Sequence, residues 1–139
     1  MIVLDTNVVS ELMKAEPGPS VMRWAAGQAP SNLYTTSITQ AEILHGIMLL
    51  PAGKRRSAFE AAADAMFKED FSGRILRFDS AAAEPYARIA AVRQRTGRPI
   101  AQFDAQIAAI ALAAEGAVAT RNVKDFNQCG IRLINPWMA

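Results

Sequence analysis

The sequence predicts an α/β fold in which a central twisted parallel β-sheet carries helices on both faces. The first observation is the short run Ile2–Leu4, which is apolar at every position, as expected for a strand buried on both faces of a sheet. The second is the alternation of such runs with longer segments whose apolar residues recur at helical spacing. Parallel strands joined by helices produce this alternation, so we expect a sheet sandwiched between helices.

The first half of the chain is predicted to contain two strands and three helices. In order, these are a strand at Ile2–Leu4, short helices at 7–13 and 20–27, a strand at Leu33–Thr36 and a helix that begins at Ser37. Pro17 and Pro19 separate the two short helices, because proline cannot continue a helix. Ser37 and Gln40 have the spacing of a capping box, and Pro51 ends the helix. Its apolar stripe is predicted to comprise Ile38, Ala41, Leu44, Ile47 and Met48.

The second half is predicted to contain three helices and three strands. In order, these are a helix at 57–68 preceded by the basic cluster Lys54–Arg56, a strand at Ile75–Phe78, a helix from Asp79 or Ser80 to about Thr96, a helix at 102–115, and strands at Ala117–Thr120 and Ile131–Ile134. Gly97 and Pro99 interrupt the helical pattern, and Gly116 ends the last helix. No repeat or linker divides the series, so we expect one domain that spans residues 1–139.

Composition restricts the class of protein. Apolar residues make up 51% of the 139 residues and charged residues 20%, which excludes a disordered chain. The single cysteine, Cys129, excludes an internal disulfide and a cysteine-rich zinc site, and it favours the reducing, cytoplasmic compartment. We expect no membrane span and no signal peptide, because no apolar run is long enough. The net charge of +2 permits a nucleic-acid partner without requiring one.

Three carboxylates lie where an α/β protein binds its ligands. Asp5 follows the first strand, and in open α/β sheets ligands bind beyond the carboxyl ends of the strands. Glu42 interrupts an apolar helical stripe, and Asp104 precedes another in the first turn of its helix. Each also has a purely structural interpretation. Asp5 could cap the next helix, Glu42 could reach solvent at the edge of its stripe, and Asp104 could interact favourably with its helix dipole.

Taken together, the three carboxylates predict a metal site. Brought close to one another they would repel, and a cation would relieve that repulsion. An all-oxygen set of ligands favours Mg²⁺ or Mn²⁺ over zinc. Such a metal activates water and neutralises the charge that develops at a phosphodiester, so these residues favour a metal-dependent nuclease or phosphatase.

The remaining polar features give weaker signals. His45, the only histidine, is expected to be structural or to support the site indirectly, and Cys129 is expected to be partly buried without an activated thiol. Two basic groups are candidates for phosphate contacts: Lys54, Arg55 and Arg56 at a helix start, and Arg93, Arg95 and Arg98 before Asp104. A solvated surface is the alternative for both. The second group is favoured because it leads directly to a candidate metal ligand.

Four motifs, which lie in the same order and cover essentially the whole chain, resemble those of PIN-domain ribonucleases. Met1–Leu12 resembles the opening motif, Ser37–Ile47 the second and Phe103–Ala111 the third. Ala119–Phe126, followed by Gly130–Trp137, resembles the C-terminal end of VapC toxins of the FitB-like subgroup. Each motif alone is short, and together they are highly specific.

The resemblance implies a Mg²⁺- or Mn²⁺-dependent endoribonuclease with the PIN fold, the toxin of a type II toxin–antitoxin system. It also implies a homodimer, an RNA substrate, a VapB/FitA-like antitoxin that blocks the site, and a larger assembly of toxin and antitoxin on DNA. The family's acidic residues correspond to Asp5, Glu42 and Asp104, and Thr120 matches a hydroxyl residue that supports the site. At the fourth acidic position the chain has Asn122, with Asp125 one turn later.

Two other functions remain open from the sequence. A phosphatase of the haloacid dehalogenase type would use Asp5 as its nucleophile, but it needs a second aspartate where this chain has Asn7. A non-catalytic module on a decayed nuclease fold would bind RNA or a protein. The presence of Asp5, Glu42 and Asp104 speaks against decay.

Overall fold

Five short parallel strands form one sheet at the centre of the computed structural model, which describes residues 1–139. The strands are β1 (Ile2–Leu4), β2 (Leu33–Thr36), β3 (Ile75–Leu76), β4 (Ala117–Ala119) and β5 (Leu133–Ile134). Their spatial order is β3-β2-β1-β4-β5, and every adjacent pair is parallel. The predicted α/β fold is confirmed. β3 and β5 are shorter than predicted because each lies at an edge, where only one neighbour supplies backbone hydrogen bonds.

Six α-helices connect and cover the strands. They are α1 (Thr6–Leu12), α2 (Pro19–Ala26), α3 (Ser37–Met48), α4 (Lys54–Ala65), α5 (Ser80–Arg95) and α6 (Gln102–Ala113). A π-helical turn at Met66–Asp70 extends α4, and 3₁₀ turns lie at Pro30–Asn32 and Val123–Phe126. The order of elements agrees with the sequence prediction. None of the helices has the length and apolar character needed to cross a membrane.

The N-cap of α3 and the first residue of α4 differ from the predicted ones. The N-cap of α3 is Thr36, not Ser37, because Thr36 has extended backbone angles and its hydroxyl accepts a hydrogen bond from the Thr39 N–H at 3.1 Å. The last residue of β2 therefore also caps the following helix. α4 begins at Lys54, so the basic cluster predicted to precede the helix forms its first turn. Gly53, with φ 155°, allows the chain to enter α4 there.

The predicted buried face of α3 is wrong in part. The buried side chains are Thr39, Ile43 and Ile47, whereas Ala41, Leu44 and Met48 of the predicted stripe are exposed. Thr39 is tolerated in the interior because its hydroxyl lies 3.2 Å from the hydroxyl of Thr6 on α1. A stripe chosen from apolar residues alone cannot include this threonine, so the predicted face is rotated about the helix axis.

The core has one half on each face of the sheet, as predicted. Successive side chains of a strand point to opposite faces. Val3 packs on the face covered by α5 and α6, against Ile89 and Ile107. Ile2 and Leu4 pack on the other face, which α1, α3 and α4 cover. β1 is therefore packed on both faces. This packing fixes the end of the strand, from which Asp5 follows directly.

Arg93 on α5 is a buried cation that holds two loops in place. It is 5% exposed. Its Nε donates a hydrogen bond to the carbonyl of Arg98 at 2.7 Å. Its Nη1 donates to the carbonyls of Asp125 and Asn127 at 2.8 and 2.9 Å. Arg93 is therefore unavailable for phosphate, which overturns its assignment as a phosphate contact.

We expect Arg93→Met to lower the free energy of unfolding by about 3 kcal/mol, because three buried or partly buried carbonyls lose their charged donor. Urea denaturation measures the loss. The matched control is Arg88→Met on the same helix, whose exposed guanidinium pairs only with exposed Glu84 and should cost under about 1 kcal/mol. Equal losses in the two variants would contradict the role of Arg93.

Candidate active site

Asp5 is a buried carboxylate at the end of the central strand. Its backbone N–H continues the ladder of β1 and donates to the carbonyl of Ala119 at 3.0 Å. Its Oδ1 accepts a hydrogen bond from the N–H of Val8 at 3.0 Å, so Asp5 also caps α1, as its structural interpretation predicted. Burial raises the pKa of the Asp5 carboxyl, and hydrogen bonds from Thr120 and from backbone N–H groups oppose the rise.

Asp5 directly follows β1, the strand from which successive strands are added toward opposite edges of the sheet. β2 and β4 lie on either side of β1, and the chain connections from these strands run to opposite edges of the sheet. A crevice opens beyond the carboxyl ends of the strands at such a switch point, where α/β proteins bind ligands. Thr120, which directly follows β4 and is fully buried, stands beside Asp5 there.

Glu42 reaches this crevice from α3. Its Oε1 accepts a hydrogen bond of 2.7 Å from the hydroxyl of Thr6, the first residue of α1. Glu42 is half-buried, so it is neither free in solvent nor sealed in the core. Because Thr6 follows Asp5 directly, this hydrogen bond brings Glu42 beside the end of β1.

Asp104 completes the group from the first turn of α6. Burial and, after it, the negative charges of Asp125, Asp5 and Glu42 together raise the pKa of Asp104 to about 6, while Arg93 opposes the rise. The three predicted carboxylates therefore lie close enough to repel one another. Asp125, in the turn at Val123–Phe126, is the fourth member of the group.

Asn122 lies at the margin of the site. Its backbone N–H donates to the Thr120 hydroxyl at 3.0 Å, which fixes the chain as it leaves β4. Its exposed side chain lines a cavity of about 450 Å³ together with Asn7, Arg121 and Trp137. The structure thus gives Asn122 and Asp125 different surroundings, and it is Asp125 that interacts electrostatically with Asp104.

The residues present fit a hydrated divalent cation. No three His, Cys, Asp or Glu side chains converge into a ready-made ligand set. However, three other carboxylates repel the Asp104 carboxylate, and one cation, Arg93, attracts it. A positive ion in the crevice would therefore relieve the repulsion among the carboxylates. Mg²⁺ commonly keeps several waters and needs only one or two direct carboxylates. The oxygen donors favour such an ion over zinc.

Sequence reasoning missed one residue that the structure brings to the site, Thr6, and ranked another, Arg55, too low. Thr6 holds Glu42 across 36 positions of chain, a contact that no local pattern reveals. Arg55 lines a cavity with Glu42, although the basic group that contains it was ranked second for phosphate contacts. The sequence did contain a signal for Arg55. Cations in the first turn of a helix oppose its dipole, so a basic cluster at a helix start indicates a role other than stabilising the helix. His45 is exposed, and Cys129 is buried with its pKa raised by burial, as expected for an inert thiol.

Comparisons with known proteins agree with this geometry. Residues 2–130 match the PIN domain family model. The chain is 43% identical to the VapC ribonuclease Y4jK of Sinorhizobium fredii, over 99% of this chain and 98% of that protein. It is 36% identical to toxin FitB of Neisseria gonorrhoeae, over 99% of each chain. A solved structure of FitAB bound to an IR36 DNA fragment superposes with a TM-score of 0.92 at 36% identity, covering 99% of this chain and 96% of that one. The chain therefore belongs to the PIN-domain family, in the group that includes the VapC and FitB toxins.

Proposed function

We propose that this protein is a metal-dependent endoribonuclease and the toxin of a type II toxin–antitoxin system. The observation that carries the proposal is the group of carboxylates around Asp5 at the switch point of the sheet. Its chemistry suits a divalent cation and a phosphodiester. Similarity to a protein named as a VapC ribonuclease supports RNA as the substrate, and similarity to toxin FitB supports the biological role.

Asp5, Glu42 and Asp104 are the proposed metal ligands, and Mg²⁺ or Mn²⁺ is the proposed ion. When bound, such an ion activates a water molecule and neutralises charge on the scissile phosphate. Thr120 orients Asp5 by a hydrogen bond, and Thr6 holds Glu42. Asn122 and Asp125 act through water at the margin of the site.

The proposed partners are a second copy of the chain and an antitoxin. Leu44, Met48 and Leu49 are 41%, 67% and 72% exposed near the end of α3, and burial in a homodimer would remove this apolar surface from water. An arginine of a VapB/FitA-like antitoxin would pair with the carboxylates and block the site. The FitAB structure on DNA supports a larger assembly with antitoxin on DNA. Light scattering that finds only monomers at micromolar concentration would exclude the dimer.

Asp5→Asn tests the proposed function directly. We expect it to abolish RNA cleavage and weaken Mg²⁺ binding, while the protein still folds because asparagine can accept the N-cap hydrogen bond from Val8. A labelled RNA and a small phosphate monoester are assayed with Mg²⁺ and with EDTA. The control is exposed Asp64→Asn, which should cleave like the parent. Full RNase activity in Asp5→Asn would refute the assignment, and hydrolysis of the monoester alone would indicate a phosphatase.

The pKa of Asp104, about 6 against an ordinary value of 3.8, makes stability depend on pH. The folded state binds this proton more tightly than the unfolded state, so the contribution of Asp104 to stability falls as pH rises from about 4 to 6. In the metal-free protein we expect Asp104→Asn to raise the free energy of unfolding at pH 7.5 by about 1–2 kcal/mol after solvent screening, and by little at pH 4. Urea denaturation at both pH values measures this. A gain of the same size at both would contradict it.

Substitutions distinguish the roles of Asn122 and Asp125 at the margin of the site. We expect Asp125→Ala to weaken cleavage less than Asp104→Ala, because Asp125 is exposed and is proposed to act through water. Asn122→Asp should preserve or raise Mg²⁺ affinity, since it adds negative charge. RNase assays titrated with Mg²⁺ compare the variants. If Asp125→Ala loses activity as completely as Asp104→Ala, Asp125 is instead a direct ligand.

A further inference from the structure

A cavity of about 260 Å³ opens beside Glu42, between α1, α3 and α4. Ile43 and Ile47 of α3 contribute apolar lining, Phe59 of α4 contributes an aromatic ring, and Thr6 lies at the end near Glu42. The volume is slightly below the range of about 300–1,000 Å³ that is typical of sites for drug-sized ligands. It therefore suits one flat ring system, and Glu42 of the proposed catalytic group forms part of its lining.

Gly46 forms part of the wall of this cavity. It lies inside α3 with no positive φ, and a Cβ added there would meet no atom within 4 Å. Glycine weakens the interior of a helix relative to alanine. Neither backbone conformation nor close packing requires glycine at this position, so the fold gains nothing from it. What the missing side chain does provide is space in the wall of the cavity.

One cation, Arg55, lines this cavity, and two other basic residues flank it in the chain. Lys54, Arg55 and Arg56 occupy the first turn of α4, where the helix dipole disfavours cations. Arg56 pairs with Glu60 at 2.7 Å, whereas Lys54 and Arg55 form no salt bridge. The Arg55 guanidinium lies 5.8 Å from the centre of the Phe59 ring. The cavity thus offers one guanidinium without a salt bridge beside an aromatic ring, and Lys54 precedes it in the chain.

We propose that this cavity is a nucleobase subsite for single-stranded RNA, next to the phosphodiester that is cleaved. The inference rests on the proposed ribonuclease function and deepens it. A nucleotide carries a flat base and an anionic phosphate on one unit, which matches the apolar slot and the adjacent cations. The base stacks against Phe59 and Arg55, as bases do on aromatic rings and guanidinium planes. Lys54 contacts a neighbouring phosphate.

Binding of RNA without cleavage tests this subsite. Fluorescein-labelled ten-nucleotide RNAs of oligo-A, -C, -G and -U are titrated with the Asp5→Asn protein and followed by anisotropy. We expect Gly46→Leu, which fills the cavity, and Phe59→Ala, which removes the stacking surface, each to weaken binding about tenfold. Both should also narrow the differences in affinity among the four RNAs. Arg56→Gln is the matched control for Arg55→Gln, because its side chain is engaged by Glu60 and does not line the cavity.

The outcomes separate the subsite from the proposed function. Circular dichroism verifies the fold of each variant, and Phe59→Ala decides the matter if Gly46→Leu does not fold. Unchanged RNA affinity in the folded variants would overturn the subsite and would leave a protein partner as the occupant of the cavity. RNA cleavage by the unsubstituted protein would in that case still support the ribonuclease function. If the Asp5→Asn protein without a further substitution binds none of the four RNAs, both the subsite and the proposed ribonuclease function are overturned. A loss in Arg56→Gln equal to that in Arg55→Gln would reduce the effect to general charge and overturn the base subsite.

Discussion

A carboxylate buried at the end of a buried strand is the constraint around which this molecule is arranged. Asp5 is only 3% exposed, and a charge in that position needs hydrogen-bond donors from its surroundings. The turn into α1 provides the N–H of Val8, and the end of β4 provides the Thr120 hydroxyl. The same residue is therefore a helix cap and the centre of the candidate site, so the structural and the proposed functional role are compatible in one residue.

Repulsion among the acidic side chains destabilises the fold, and the residues around them reduce this cost. Asp104 benefits from the N-terminus of α6, but burial and, after it, the neighbouring carboxylates raise its pKa to about 6. Arg93 stands behind the group as a buried cation and fixes the segment that carries Asp125. Placing that charge in the core, with carbonyls as partners, leaves the crevice itself negative and available to a cation. Electrostatic repulsion of this kind is common where function and stability conflict.

Local patterns in the sequence predicted most of this arrangement, and contacts between distant segments account for the remainder. The strands at Ile2–Leu4 and Leu33–Thr36 follow from short apolar or β-branched runs bounded by polar residues. The contact of Thr6 with Glu42 and the burial of Arg93 depend on segments that meet only after folding. Similar arginines occupy both basic groups, and the sequence alone does not distinguish a guanidinium that binds carbonyls inside the protein from one, such as Arg55, at the mouth of a cavity.

The pairing of β1 with β4 has a consequence for synthesis. Ile2 pairs with Ala117, so the central strand waits for a neighbour that lies more than a hundred residues later in the chain. Pairings between such distant segments form slowly, because loop closure must precede them. Thr120, Asp125 and two of the three carbonyls that accept from Arg93, those of Asp125 and Asn127, follow β4. During translation, the emerging polypeptide therefore carries Asp5 and Glu42 without a completed crevice until the segment from β4 onward becomes free to fold.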